Sequence, residues 1–289
     1  MSDPARRIPE PEPPPAEPAP PAASVTPRAA APANGFEGFR VEVDAARERA
    51  DVILDRPPLN VITMSEREQL RAAFEALDAD RRVRVIVLRA EGEHFSSGGE
   101  IRGFLDASPE HLTRLAWNIG APARCRQPVV AAGRGYCFGV AFELTLACDF
   151  RLVTDTSVFA MPEQRLGMIP GSGGAARLQK MVGVTRAKDI VMRSRRITGF
   201  RAFEWGIATD CVADADLEKA TDALVDELRS FAPLAQRTAK KLMNDLEDTS
   251  LSLGIELEGQ AYGRLRGSDD FREGVEAFKA KRTPNFKGS

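Results

Sequence analysis

Histidine is nearly missing from this 289-residue chain, which holds only His94 and His111. A Ser-His-Asp triad would have to recruit one of them, and no Gly-x-Ser-x-Gly elbow accompanies either. A multi-histidine metal site is disfavoured on the same ground, and no metal is expected. The four cysteines (Cys125, Cys137, Cys148 and Cys211) form no Cys-x-x-Cys pair, and nothing suggests secretion, so a reduced, cytoplasmic compartment is the default expectation. No apolar run approaches the roughly 18 residues of a membrane span, because Arg134 and Glu143 interrupt the best candidate. A strong excess of one charge is also absent. Forty basic against forty-two acidic residues leave a net charge of −2, which carries no broad signature for nucleic acid or an anionic membrane. Acid–base chemistry, if there is any, falls to carboxylates.

What is abundant is unevenly spread. Residues 1–34 hold eleven of the twenty prolines and nine alanines, with almost no large apolar side chains. Such a segment cannot bury enough surface to offset its ordering entropy and reads as a disordered, partly polyproline II tail. It lacks the apolar stretch of a secretory signal and the amphipathic pattern of a transit peptide. Beyond it, strands are expected at 39–44, 50–55, 83–90, 128–133 and 150–154. Helices are expected at 65–80, capped by Ser65 with Glu68 three residues on, near 108–126 and at 139–147. Past residue 173 the pattern is mostly helical, near 173–193, 200–206, 214–230, 233–248, 250–266 and 270–281. Early alternation followed by helices predicts an α/β core with an all-helical C-terminal part.

Glu143 stands out within "GYCFGVAFELTLACDF" (135–150). On a helix its neighbours at three and four residues' distance are Gly139, Val140, Leu146 and Ala147, and no base lies close by in sequence. It is either a solvated surface glutamate or a carboxyl held in an apolar pocket, with its pKa raised toward the range useful for proton transfer. The turn before it feeds a helix N-terminus, whose unpaired N–H groups suit a developing anion. "HFSSGGEI" (94–101) carries Gly98-Gly99, either a plain turn or a place where backbone approaches a ligand. "FAMPEQRLGMIPGSGGAARL" (159–178) carries Glu163. Its Pro-Gly-Ser-Gly-Gly lacks the Gly-Lys-Ser/Thr of a phosphate-binding loop and reads as a tight turn into the next helix. "MRSRRITG" (192–199) reads as a solvated basic face. In "DDFREGVEAFKAKRTPNFKG" (269–288), Phe271, Val275 and Phe278 share a helical stripe that core packing would explain, while Lys279, Lys281 and Arg282 are solubilising or meet a phosphorylated ligand.

Together these segments resemble the crotonase family, the enoyl-CoA hydratase/isomerase superfamily, from about residue 39 to 288. "FSSGGEIRGF" and "YCFGVAFELTLACDFRLV" look like its two oxyanion segments, "FAMPEQRLGMIPGSGGAARL" like the segment with the second catalytic glutamate, and residues 268–288 like its C-terminal signature. The resemblance implies a spiral of ββα units over 35–230. It implies a helical region at 231–289 for oligomerisation and the acyl-CoA pocket, and a homotrimer or dimer of trimers. The implied substrate is an acyl-CoA thioester, with no cofactor besides the coenzyme A of the substrate. Glu143 and Glu163 would hold one water, and the N–H groups of Gly99 and Val140 would hold the thioester oxygen. Ser97, Gly98, Glu100, Ile101, Gly139 and Lys281 would contact substrate. Val140 departs from the family's usual glycine and Glu100 from its commoner aspartate. Hydration of a 2-enoyl-CoA is the leading expectation. Double-bond isomerisation, or hydrolysis or ring chemistry on an alicyclic or aromatic acyl-CoA, is the alternative. A non-catalytic RNA- or acyl-CoA-binding protein is the alternative of another class.

Overall fold

Two sheets share one body of chain in the computed structural model, which describes residues 35–105 and 107–289; the Pro/Ala-rich segment 1–34 lies outside the described residues. The elements run β1 (Phe39–Asp44), β2 (Arg49–Leu54), α1 (Met64–Ala79), β3 (Val85–Ala90), three short helices α2 (Pro109–Thr113), α3 (Leu115–Ile119) and α4 (Ala121–Arg124), then β4 (Val129–Gly133), β5 (Tyr136–Phe138), α5 (Val140–Leu146), β6 (Phe150–Thr154) and β7 (Val158–Ala160). There follow α6 (Gly174–Met192), β8 (Ile197–Thr198), α7 (Gly199–Glu204), β9 (Asp210–Val212), α8 (Leu217–Ser230), α9 (Pro233–Leu246), α10 (Leu251–Leu265) and α11 (Asp269–Ala280). The larger sheet has the order β1-β2-β3-β4-β6-β9, with only β1 antiparallel to its neighbour; the smaller is β5-β7-β8.

The period of two along each strand decides which core a side chain joins. Ile86, Leu88, Val129 and Ala131 point into the main core with Phe74, Phe142 and Leu144. Val85, Val87, Val130 and Ala132 point the other way, against Leu217, Val225 and Leu228 of α8. Each such side chain contributes about 1.5–3 kcal/mol when fully buried, so a polar substitution at Val87 or Val130 would weaken the packing of α8 by an amount of that order. The interior strand β2 is buried along its whole length, polar residues included. Arg49 there donates to Asp51 through Nε (2.7 Å) and Nη2 (2.7 Å), and to Asp222 through Nη1 (2.6 Å), so no charge is left unpaired.

Several expectations need correcting. Helix α1 is capped by Thr63, not Ser65: the Thr63 hydroxyl accepts from the Glu66 N–H, and the Glu66 carboxylate accepts from the Thr63 N–H. The helical stretch 108–126 is broken into three pieces, with Pro122 in the first turn of the third. α6 is two helical runs joined at Gly183, whose φ of 78° and ψ of 162° are non-helical. Phe271, Val275 and Phe278 are exposed on α11 rather than packed in a core. The last helices are nonetheless tied down. Lys240 of α9 reaches the core and donates to Asp149 Oδ2 (2.6 Å) and to the carbonyls of Pro122 and Gln127 (both 2.9 Å).

Candidate active site

Three segments meet through backbone pairing around β5. Ser96 N–H donates to the Tyr136 carbonyl (2.8 Å), and Phe138 N–H donates back to Ser96 (3.1 Å). On its other side β5 pairs in parallel with β7, placing Phe138 opposite Ala160, and Gly139 N–H donates to the Ala160 carbonyl (2.9 Å). Gly99, Val140 and Glu163 thus lie a few residues beyond a common set of ladder bonds. Gly139, the residue before α5, has φ 52° and ψ −125°, a conformation that side-chain-bearing residues rarely adopt. A Cβ there would also come within 2.9 Å of Glu163 Oε1, so the carboxyl sits against bare backbone. α5 is held at its other end by buried Arg151, which donates to the carbonyls of Thr145 (3.0 Å) and Cys148 (2.6 Å).

The loop 97–100 is stitched to residues 59–62. Ser97, Ile62 and Glu100 N–H groups donate to Leu59, Gly98 and Ile62 carbonyls (2.8, 2.9 and 3.0 Å), and Gly98 N–H donates to the Ser96 hydroxyl (3.1 Å). Among the described residues the N–H groups of Gly99 and Val140 have no such acceptor. The two residues are close, since a Cβ on Gly99 would lie 3.4 Å from Val140 Cγ1. Ser97 is half-buried, while Glu100 and Ile101 are exposed. Lys281 ends α11 as an exposed left-handed cap (φ 53°), with no ion pair or side-chain hydrogen bond among the described residues.

Glu143 is 3 % exposed. Its Oε1 accepts from the N–H groups of Ser172 (2.7 Å) and Gly174 (3.0 Å), at the entry to α6. The Pro-Gly-Ser-Gly-Gly turn does cradle an anion, and the anion is the chain's own carboxylate. Burial pushes the Glu143 pKa up, while those two N–H bonds and Arg67 pull it down. Glu163 sits in the 3-10 turn Pro162–Leu166, and its Oε2 is buried without a hydrogen-bond partner. Burial raises its pKa to about 7; its own backbone N–H opposes this, the Glu143 charge adds to it, and Arg67 opposes it again. Two carboxyls in different environments therefore lie within electrostatic reach of each other, both shifted up by burial, Glu143 held by two N–H donors and Glu163 with one oxygen unpartnered.

The sequence gives no hint, near Glu143, of Arg67. This residue of α1 is 2 % exposed, its guanidinium abuts Gly99 Cα closely enough that a Cβ there would collide with Nη2, and it feels the charges of Glu143 and Glu163. The available signal was its place on α1 beside the core-facing row Leu70, Phe74 and Leu77.

A cavity of about 520 Å³ lies elsewhere, lined among others by Arg49, Asp51, Arg134, Glu218 and Asp222. Those charges pair with one another, whereas the glutamates of the small cluster do not, so chemistry points to the cluster. Among the described residues no group of His, Cys, Asp and Glu side chains is placed to hold a metal ion, and no helix is long and apolar enough to cross a membrane.

The chain is similar to known proteins over most of its length. The family model described as enoyl-CoA hydratase/isomerase matches residues 48–289. A Rhizobium meliloti (strain 1021) protein named "Probable enoyl-CoA hydratase" is 34% identical over 240 residues, covering 82% of this chain and 93% of its own. Carnitinyl-CoA dehydratase of Proteus mirabilis (strain HI4320) is 31% identical over 246 residues, covering 82% and 94%. The crystal structure of enoyl-CoA hydratase from Bacillus anthracis superposes with a TM-score of 0.81 at 30% identity, covering 88% of this chain and 100% of that one. With its crotonase fold, the chain belongs to the enoyl-CoA hydratase/isomerase family of enzymes.

Proposed function

We propose that the protein adds water across the 2,3 double bond of an enoyl-CoA thioester, and removes it in reverse. The observation that carries this reading is the pair of carboxyls, Glu143 held by two N–H donors and Glu163 with its Oε2 unpartnered, beside two N–H groups without acceptors among the described residues. The thioester oxygen accepts from Gly99 and Val140 N–H. Glu143, as the anion, takes a proton from water while the water oxygen bonds to C3. The π electrons move toward the thioester oxygen, giving an enolate held by the two donors, and Glu163 delivers its proton to C2. Loss of one such donor typically costs about 10²–10³ in rate, and each acid–base group contributes about 10²–10⁴. Turnover leaves the proton on Glu143, and exchange through the next water returns it to Glu163. The relatives' names, an enoyl-CoA hydratase and a carnitinyl-CoA dehydratase, support water addition or loss at a CoA thioester.

Ser97, Gly98, Glu100 and Ile101 would line the acyl-CoA path, with Gly139 beneath the carboxyl of Glu163. Lys281 would meet a CoA phosphate only in an assembly. Exposed Met243, Leu251, Ile255, Tyr262 and Phe278 on α9–α11 support a homotrimer or dimer of trimers. The direct test is purified protein against a panel of 2-enoyl- and 3-enoyl-CoA thioesters, following absorbance of the conjugated double bond. Loss of 2-enoyl absorbance with hydroxyacyl-CoA formation is expected; conversion of 3-enoyl to 2-enoyl thioester without hydration would make the enzyme an isomerase.

A further inference from the structure

Among the described residues Arg67 makes no direct ion pair or side-chain hydrogen bond; the charges of Glu143, Glu66 and Glu163 act on it only from beyond ion-pair distance. It is 2 % exposed, its Nε is buried without an acceptor, and among the described residues no carboxylate reaches ion-pair distance. The Phe104 ring lies 5.2 Å from its Cζ and supplies only a face. Glu66, the residue before it, is ion-paired to Arg56 (2.7 Å), and Glu143 spends Oε1 on the α6 entry. An unpaired buried cation destabilises a protein unless something compensates it. Nothing in packing requires a guanidinium here, and its planar fork matches a carboxylate.

Its position narrows what that carboxylate belongs to. The CoA phosphates are bulky and solvated, and a residue this buried is out of their reach. The thioester oxygen already has two N–H donors in the proposed mechanism. Arg67 abuts Gly99 and feels the charges of Glu143 and Glu163, so an anionic group it meets lies beside the reacting end of the acyl group. Without Arg67 such a group would face two glutamates sharing one proton, a repulsive setting.

We infer that the acyl group carries a carboxylate, making the substrate the CoA thioester of a short, four- or five-carbon dicarboxylic acid, and that Arg67 is its specificity-determining contact. This rests on the acyl-CoA reading above. The reaction and its atom balance are unchanged, because the carboxylate is a spectator bound by the guanidinium.

The test is equilibrium binding by calorimetry, using the unreactive saturated thioesters succinyl-, glutaryl- and butyryl-CoA at constant ionic strength. A charge-assisted pair predicts that wild type binds succinyl- or glutaryl-CoA about 10–100-fold tighter than butyryl-CoA. Arg67→Met should abolish that preference, read within the variant as the ratio of succinyl- or glutaryl-CoA affinity to butyryl-CoA affinity. Arg67→Lys should keep part of the preference, which a purely structural role would not predict; if Arg67→Met does not fold, wild type and the lysine variant decide. Equal wild-type affinity for butyryl-CoA and both dicarboxylic thioesters overturns the inference while leaving the acyl-CoA reading intact, as does a preference that survives Arg67→Met. Failure of all three to bind overturns both.

Discussion

Glu66 and Glu163 form an instructive pair. Burial pushes both carboxyls up to about 7. Glu66 is 1 % exposed, yet its charge is paired within the fold: its Oε2 accepts from Arg56 (2.7 Å) and from the Thr63 N–H (3.3 Å), closing the cap of α1. Glu163 has the same titration range and an oxygen with no partner. A raised pKa therefore does not by itself mark a site; a raised pKa with unmet hydrogen-bonding capacity, next to a second carboxyl, does. The neighbours Glu66 and Arg67 repeat the contrast within one helical turn, since one is ion-paired to Arg56 and the other has a buried Nε without an acceptor among the described residues.

The comparison breaks most directly by substitution. Glu163→Gln should slow hydration by about 10²–10⁴ while leaving acyl-CoA binding nearly intact, whereas Glu66→Gln should turn over close to wild type. Steady-state kinetics and thermal melts on both variants check this; equal losses would erase the distinction. Gly174→Ala is next in size. Its Cβ would fall 2.9 Å from Glu143 Cγ and 2.8 Å from Met161 Cε. Displacing the carboxylate by a fraction of an ångström should cost up to about 10² in turnover, read as kcat with KM little changed.

A pH profile sharpens the comparison further. In either direction the free enzyme must hold one proton on the Glu143–Glu163 pair. With Glu163 titrating at about 7, that proton is lost as pH rises through about 7, so kcat/KM should fall roughly tenfold per unit on the alkaline side, for hydration and dehydration alike. The stability sign is the same: a carboxyl whose folded pKa is raised contributes stability below its unfolded pKa, lost as pH rises through about 7. Glu66→Gln and Glu163→Gln should each flatten that part of the melting curve. The smallest effect belongs to Val140→Gly. The donor there is a backbone N–H, but the buried isopropyl group faces Gly99. Turnover should persist while the ranking of acyl groups changes, measured as relative kcat/KM across the thioester panel.

The long strands were legible because alternation and burial agree. The stretch 83–90 reads as a strand from its pattern, and Val85–Ala90 within it is one. The strands that assemble the site, β5, β7 and β8, are two or three residues long and too short for any period to show. They form because their edges are claimed by Ser96 and by one another. Ser65 with Glu68 has the right spacing for a cap, but Thr63 with Glu66 has it too, and only the packing of Leu70, Ala73 and Phe74 chooses between them. Glu143 was visible as a charge among apolar neighbours. What compensates it, the Ser172 and Gly174 N–H groups and Arg67, is brought in from distant segments, and local spacing carries no record of that.

The central claim is that Glu143 is a working base and more than a strut for the entry to α6. Glutamine at this position can still accept from Ser172 and Gly174 through its amide oxygen, so the loop should stay in place while the base is lost. The decisive measurement is the rate of 2-enoyl-CoA hydration by Glu143→Gln, with circular dichroism and butyryl-CoA binding confirming an intact fold. The account predicts a fall of about 10²–10⁴ in kcat at unchanged affinity. Hydration at the wild-type rate in that variant would contradict it.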